Sequence, residues 1–374
     1  MKTERVVEDV FRFSDEFGPA RIVHIHRPSA GLKAIAVIDN TACGPAVGGV
    51  RMAPDVSLEE CFRLARAMTW KNAAAGLSHG GGKSVIFGDP RMPASHKEQI
   101  IRAFADSIRD LTDYIPGPDM GTDELCMGWI KDETGRAAGL PSAVGGIPLN
   151  EIGATGFGLA AAVEIACGFI GLELNGARIA VQGFGAVGKH AARFLAQEGA
   201  VLVAASDTGG TLADPAGLDV SALVALKDSG RPLHDHPRGQ KLDGDAILDI
   251  DCDIWIPAAR PDVVRADNVH RIKTRLMPQG ANIPCTSEAE KALHERGVLV
   301  IPDFIANAGG VICAATEFHG GTERTAFDQI DTRIRTNTRL VLEDSRHRSV
   351  LPRDAALALA ERRVRAAMET RRWR

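Results

Sequence analysis

Absences narrow the field before any motif is read. The 374-residue chain carries a formal charge of only −4, with a pI near 6.3, so it has no field to draw in nucleic acid or an anionic membrane surface. It has no apolar run approaching the ~18 residues of a membrane span, and its start, "MKTERVVEDVFRF", is too charged for a signal peptide. A cytoplasmic protein without membrane or nucleic-acid partners is expected. Its cysteines (Cys43, Cys61, Cys126, Cys167, Cys252, Cys285 and Cys313) are scattered, odd in number and never at metal-knuckle spacing, which reads as free thiols in a reducing compartment. The close pairs His24/His26 and His234/His236 have no cysteine or acidic partner at ligand spacing, so no metal is expected. There is no internal repeat and no low-complexity tract. Small-molecule chemistry is left.

What is present suffices for two cored domains, since 45% of residues are hydrophobic. "RIVHIH" and "LKAIAVID" read as strands, the second alternating as a half-buried strand does. Helices are expected from Ser57, with Glu60 completing a capping box, and near Ser95, with Glu98 three residues on and Ile101, Phe104, Ile108 and Leu111 at helical spacing. Residues 112–150 are rich in glycine and proline and read as an active-site loop followed by a domain boundary. From about 151 the rhythm becomes strand, helix, strand, through "RIAVQGFG", "VLVAASD", "DIWIPAA", "RLMPQGAN" and "VLVIPD". That rhythm predicts an α/β fold with a doubly wound parallel sheet. The arginine-rich tail "AALALAERRVRAAMETRRWR" has too few apolar positions to fold alone and must pack back on the rest.

"ARIAVQGFGAVGKHAARFLAQEGAVLVAASD" places Gly183, Gly185 and Gly188 in GxGxxG spacing between an apolar strand and an amphipathic helix. Gly183 permits the tight turn, Gly185 admits a pyrophosphate, Gly188 lets helix meet strand, and the helix N-terminus stabilises the anion. Phe184, Ala186 and Val187 complete this coenzyme loop, and Asp207 ends the next strand, where an acid accepts hydrogen bonds from a ribose diol. The acid repels a 2′-phosphate, and the following "TGGT" offers no arginine to bind one, so NAD is expected over NADP.

The stretch "GLSHGGGKSVIFGDP" superficially resembles a phosphate loop and fails as one. Leu77 stands where that motif needs glycine, a helix end precedes it and a strand follows. Lys83 therefore needs another explanation. Lys71 lies on the apolar face of its helix, at helical spacing from Leu64 and Met68; alone it reads as a snorkelling lysine at a helix end. Two lysines converging on one cleft would form a cationic substrate site in which desolvation favours the neutral form of one of them, a proton-transfer group. Asp119 in "IPGPDMGT" is a third candidate, although by itself it reads as a turn aspartate. These residues describe an NAD enzyme with a cationic cleft and stop short of the reaction.

At this point the chain resembles a known family. "GLKAIAVIDNTACGPAVGGVRM", "CFRLARAMTWKNAAAGLSHGGGKSVIFGDP", "GATGFG", "VQGFGAVG", "QGANIPCTSEAEKALHERGVLVIPD" and "FIANAGGV" are similar, in the same order, to the leucine, phenylalanine, valine and glutamate dehydrogenases, from about residue 20 to 320. The resemblance implies oxidative deamination: L-amino acid, NAD and water give 2-oxo acid, ammonium and NADH. By motif it implies Lys71 for the α-carboxylate, Lys83 as the catalytic lysine and Asp119 sharing its proton transfers. Thr155 and Asn307 would orient the nicotinamide, with Asn282 lining the same cleft. It also implies a homo-oligomer and two domains separated by a cleft: 1–150, completed by helices 335–374, for substrate and oligomerisation, and 151–334 for NAD.

Glutamate enzymes place a lysine where this chain has Val47, beside Gly48 in "GPAVGG", and a serine where it has Ala314. Both changes would leave a γ-carboxylate without a partner in an apolar pocket. With Gly117, Val311 and Ala314 small at the pocket floor, a branched-chain or aromatic L-amino acid is expected. Two readings stay open beside it. The coenzyme half looks more like glutamate dehydrogenases, and a catalytically silent nucleotide-binding protein would keep the fold without the reaction.

Overall fold

The computed structural model describes residues 11–372; the first ten residues, which carry most of the charged start, lie outside them. The chain forms two units. The first comprises residues up to Pro148, Ala314–Gly321 and the stretch from Ala360; the second comprises Leu149–Cys313 and Thr322–Leu359.

The first unit is built on a sheet of five strands, β1 (Arg21–Arg27), β2 (Leu32–Asn40), β3 (Ala46–Ala53), β4 (Gly80–Phe87) and β5 (Tyr114–Pro118), in the order β1-β2-β4-β3-β5. β3 runs parallel to β4 and β5, while β2 is antiparallel to both its neighbours. Helix α1 (Leu58–Ala74) covers one face, where Cys61 and Ala65 pack on Ile35, Val37 and Val85. Helices α2 (Ala94–Ser107) and α3 (Glu124–Thr134) cover the other, burying Ala34, Ile38 and Ile86 against Ile101, Phe104 and Met127. β2 is thus buried on both sides rather than half-buried, because its "polar" alternate positions are Ala34, Ala36 and Ile38. α1 starts as expected, with Ser57 Oγ accepting the Glu60 N–H at 3.1 Å. α2 starts near Ser95 as expected, at Ala94, but Pro93 is its N-cap, without a side-chain hydrogen bond, and Glu98 accepts from Arg102.

The second unit holds seven strands, β6 (Arg178–Gln182), β7 (Val201–Asp207), β8 (Gly210–Ala213), β9 (Gln240–Leu242), β10 (Ile254–Pro257), β11 (Leu276–Pro278) and β12 (Leu299–Ile301), in the order β12-β11-β10-β6-β7-β8-β9. The first five in that order are parallel, the Rossmann-type core; β8 and β9 add an antiparallel edge. After the short α4 (Leu149–Ile152), helix α5 (Ala154–Ile170) packs on α6 (Ala186–Gln197), Gly156 lying so close that a Cβ there would sit 2.6 Å from the Ala191 nitrogen. Among the described residues Leu149–Ile170 is one helical stretch of 22 residues long and apolar enough to cross a membrane, contrary to the expectation that none exists; most of it is buried in this unit. Further helices are α7 (Val220–Asp228), α8 (Ser287–Glu295), α9 (Asp303–Ala306), α10 (Gly309–Phe318), α11 (Glu323–Arg348) and α12 (Pro352–Glu369).

The C-terminal return to the first unit begins at Ala360, not near 335. The reason is the apolar stripe of α11. Ile330 and Ile334 lie against Gly158 of α5, where an added Cβ would be 2.4 Å from Ile334 Cδ1, so α11 belongs with the second unit.

Candidate active site

The three glycines before Lys83 serve the chain's own packing. A Cβ on Gly80 would fall 1.8 Å from the Asn40 carbonyl oxygen, one on Gly81 2.1 Å from the Thr69 nitrogen of α1, and one on Gly82 3.0 Å from the Tyr114 ring. They let β2, α1 and β5 close tightly around β4. Gly48 is constrained likewise, its Cβ position lying 1.6 Å from the Gly82 oxygen, and its carbonyl accepts the Tyr114 hydroxyl at 3.2 Å. Lys83 therefore projects from the rigid middle of a buried strand, on the face shared with Val85 and α1.

Lys83 meets a carboxylate there. Its Nζ lies 2.5 Å from Asp119 Oδ2, with the lysine side chain 8% and the aspartate 21% exposed. Asp119 follows β5, and its turn is pinned by Thr122, whose Oγ1 accepts the Asp119 N–H at 3.0 Å and donates to the Val50 carbonyl at 2.7 Å. Arg51 on β3, a residue without a motif, donates from Nε to the same Oδ2 at 3.1 Å and from Nη1 to Glu60. Burial by itself would raise the Asp119 carboxyl; the Lys83 charge and hydrogen bond, then Arg51, outweigh it and hold the group below the usual carboxylate range. Gly49 forms the floor of the pair: a Cβ there would lie 2.7 Å from Asp119 Cβ and 3.1 Å from Lys83 Nζ.

Lys71 is half-buried in the last turn of α1. The helix end beneath it is capped from far away in sequence, Arg363 Nη1 donating to the carbonyls of Ala73 at 3.0 Å and Ala74 at 2.7 Å. Beside these polar groups is a separate apolar cluster of Val47, Ile115 and Ala138, with Ala314 and Phe318 packed against it. Gly117 borders open space, its Cβ position meeting only the Ala138 oxygen at 3.8 Å. The segment bearing Ala314 and Phe318 is tied down by the buried Glu317, whose Oε1 accepts the N–H groups of Gly139 (2.8 Å) and Leu140 (3.1 Å) and whose Oε2 accepts that of Ile147 (2.7 Å). Arg51, Arg363 and Glu317 were invisible to motif reading, because each acts through a partner distant in sequence.

In the second unit the GxGxxG loop has the geometry of a dinucleotide cradle. Gly183 has φ +91° and lies against Ala259, Gly188 would collide with the Gly183 oxygen at 2.0 Å if it carried a Cβ, and Gly185 faces open space. Gly185 N-caps α6 without a side-chain hydrogen bond, leaving the amides of Ala186 and Val187 to the helix's positive end. A hollow of about 260 Å³ opens there, lined by Phe184, Gly185, Ala186, Lys189 and Lys227 among others. These features fit a pyrophosphate. Asp207 at the end of β7 is fully engaged: Oδ1 accepts the Gly209 N–H at 2.8 Å, and Oδ2 accepts the Leu233 N–H at 2.9 Å and Lys227 Nζ at 2.7 Å. Burial is outweighed by Lys227 and the backbone donors, so the carboxyl is held below its usual range. The sequence reading found no arginine nearby and missed Lys227, which α7 brings back from twenty residues on.

Asn307, buried after α9, donates from Nδ2 to Asn282 Oδ1 at 2.9 Å and to the Gly280 carbonyl at 3.3 Å. Ile283, next to Asn282, has φ +48°, a strained value for a branched residue. Its N–H is held by Asp303 Oδ2 at 2.9 Å. Thr155 stands at the start of α5 beside Gly310, and Val311 falls in the part of α10 that belongs to this unit. All seven cysteines are free, and among the described residues no cluster of three or more histidine, cysteine or acidic side chains is arranged for a metal.

Comparison with known proteins gives two family matches: residues 19–136 match the Glu/Leu/Phe/Val dehydrogenase dimerisation domain, and residues 145–372 match the glutamate/leucine/phenylalanine/valine dehydrogenase model. The chain is similar to the glutamate dehydrogenase of Aeropyrum pernix, 38% identical over 89% of this chain and 85% of that protein. It is also similar to the NADP(+)-dependent glutamate dehydrogenase of Pyrobaculum calidifontis, at 37% over 89% and 85%, and to the NAD-specific glutamate dehydrogenase A of Halobacterium salinarum, at 35% over 88% and 79%. Among solved structures it resembles the hetero-hexameric glutamate dehydrogenase of Thermus thermophilus (TM-score 0.83, 27% identity, 98% and 95% of the two chains). It resembles the L-tryptophan dehydrogenase of Nostoc punctiforme as well (TM-score 0.76, 26%, 97% and 99%).

Proposed function

We propose, from the premise that the chain belongs to the glutamate/leucine/phenylalanine/valine dehydrogenase family and is an amino acid dehydrogenase acting on a CH–NH2 group, that its substrates are apolar L-amino acids and its preferred coenzyme NAD. The observation that carries the substrate class is the cluster of Val47, Ile115 and Ala138 flanked by Ala314 and Phe318. A γ-carboxylate brought against it loses hydration and gains no charge partner there, a cost of several kcal/mol, about 3 or more. The glutamate dehydrogenases among its relatives argue the other way. Their identity is spread over whole chains, however, and a side-chain pocket is a handful of positions.

In the mechanism the Lys71 ammonium pairs the substrate α-carboxylate. The substrate ammonium competes for Asp119 and opens its ion pair; one substrate N–H proton passes to Asp119, while Lys83, no longer paired, gives its proton to solvent and stands as a neutral amine next to the reacting carbon. When bound, NAD supplies a hydride acceptor at its nicotinamide. Lys83 then takes a proton from water as that water adds to the imino carbon, and it returns the proton, shared with Asp119, to the departing ammonia. Arg51 favours the ionised form of Asp119 between its proton transfers. Asn307 and Asn282 would orient the nicotinamide, with Thr155 assisting, and the α6 amides would hold the pyrophosphate. We place the enzyme in the cytoplasm as a homo-oligomer, a reading supported by its free thiols and by the dimerisation-domain match.

NADH absorbance with a panel of amino acids tests the substrate class. Leucine, valine or phenylalanine should exceed glutamate in kcat/KM by about a hundredfold, the rate equivalent of ~3 kcal/mol. Faster glutamate turnover ends the proposal in favour of a glutamate dehydrogenase. Tight NADH binding without turnover of any amino or oxo acid would identify a silent relative.

A further inference from the structure

Two histidines that no motif selects meet beside the apolar cluster. His79, just before β4, is 1% exposed, and its Nδ1 lies 3.2 Å from the Pro45 carbonyl oxygen. Its Nε2 lies 3.0 Å from Nε2 of the exposed His319, and the two rings stack at 26° with centroids 5.1 Å apart. Phe318 packs edge-on to both rings. His319 stands on the returning segment Ala314–Gly321, which also bears Ala314 and Phe318. Glu317 anchors the middle of that segment, and the histidine contact anchors its end.

Donor counting fixes the protonation states this contact tolerates. A carbonyl only accepts, so His79 Nδ1 carries hydrogen, and the neutral ring presents Nε2 as an acceptor to an Nε2–H of His319. One added proton is accommodated: His79 then donates from both nitrogens and His319 accepts by adopting its Nδ1–H tautomer. A second added proton sets two N–H groups and two positive charges against each other at 3.0 Å.

We propose that His79 and His319 are positioning residues whose hydrogen bond holds Ala314 and Phe318 against the Val47–Ile115–Ala138 surface and so sets affinity for the substrate side chain, releasing it when both rings are protonated. This rests on the reading of that surface as the side-chain pocket. Burial pushes His79 below the ordinary histidine value; the Pro45 carbonyl raises it in part, and the charge of His319 lowers it again. His319 is the titratable group acting on His79, and His319 in turn is faced by His79 and the Phe318 ring. With the folded-state value of His79 depressed, its neutral form persists below the ordinary histidine range, and the contact is lost only as pH falls through that lower value and the second proton binds.

The test combines two measurements on the full-length enzyme. Histidines labelled with carbon-13 are followed by NMR through the titration, and the 2-oxo acid of leucine is titrated into the enzyme–NADH complex without ammonium, read by NADH fluorescence. The parent should show the two rings titrating as a coupled pair, with Kd for the oxo acid rising about fivefold between about pH 7.5 and the pH at which the second of the two protons has bound. His319→Gln, whose amide still donates but does not protonate in this range, should keep the parent's neutral affinity and lose the acid response. His319→Phe should bind about fivefold more weakly at both pH values. Uncoupled titration, or Kd values for the parent and His319→Gln that track within about twofold across the range, would overturn the proposal. Failure of the underlying substrate reading looks different: coupled titration, with no apolar 2-oxo acid bound at any pH, removes the affinity role altogether.

Discussion

Gly49→Ala tests whether the Lys83–Asp119 pair is the chemical centre. The new Cβ would lie 2.7 Å from Asp119 Cβ and 3.1 Å from both Lys83 Nζ and the Pro118 oxygen. Carbon atoms in contact settle near 3.5 Å, so Asp119 must retreat by roughly 0.8 Å, the difference between that separation and 2.7 Å. Overpacking of this kind costs on the order of 1–3 kcal/mol of stability, which a two-unit chain survives. A displacement near 1 Å at reacting groups costs about a hundredfold in rate. The expectation is therefore a folded variant whose kcat falls by about two orders of magnitude, with NADH affinity unchanged. Gly117→Ala is the matched control, its Cβ meeting nothing nearer than 3.8 Å. It should retain kcat on small substrates and lose affinity for bulky ones. Melting temperature, NADH binding and steady-state rates on both variants suffice. A folded Gly49→Ala enzyme within about threefold of parental kcat would refute the reasoning, since a Cβ at that site and an undisturbed reactive pair are incompatible.

Lys83→Ala should reduce turnover by at least about a thousandfold while leaving NADH fluorescence titrations intact, and near-parental turnover would make Lys83 structural. Asp207→Ser leaves Lys227 without its carboxylate and should raise the NADP-to-NAD ratio of kcat/KM by about tenfold or more; a parent that already prefers NADP would refute the NAD assignment. Because the folded-state pKa of Asp119 lies below its ordinary value, its ionisation adds stability above the usual aspartate range, and that contribution is lost as pH falls through the lower folded value. Asp119→Asn should therefore show a shallower acid-unfolding profile than the parent, and superimposable profiles would mean the pair contributes nothing.

Legibility from sequence followed the range of each interaction. Ser57 was readable as a cap because its partner amide is three residues away. The GxGxxG stretch was readable as a tight strand-to-helix turn because its glycines answer to local backbone geometry. β3 was not readable: Gly48 and Gly49 weaken its strand signal, and it exists because β4 and β5 grip it from both sides. Lys83 and Asp119 were each visible, but their ion pair was not, and the expected neighbour of Lys83, a second lysine, is instead this carboxylate. Arg51 and Lys227 look like ordinary surface cations until the fold brings them to acids in the candidate sites. The 112–150 stretch read as loop because its proline and glycine mask β5 and the Asp123-capped α3.

The first unit is assembled from three separate stretches of chain, and this imposes an order on its birth. During synthesis the sheet bearing Val47 and Lys83 emerges early, while the covering segment Ala314–Gly321 comes about two-thirds of a chain later. Arg363, which caps the helix of Lys71, is later still. Until then an apolar patch and open helix carbonyls face the solvent of the ribosome exit, the kind of surface that chaperones shield. The proposed substrate site is thus among the last parts of the molecule to close, and a nascent chain halted before Ala360 carries Lys83 without the cap that steadies the helix of Lys71.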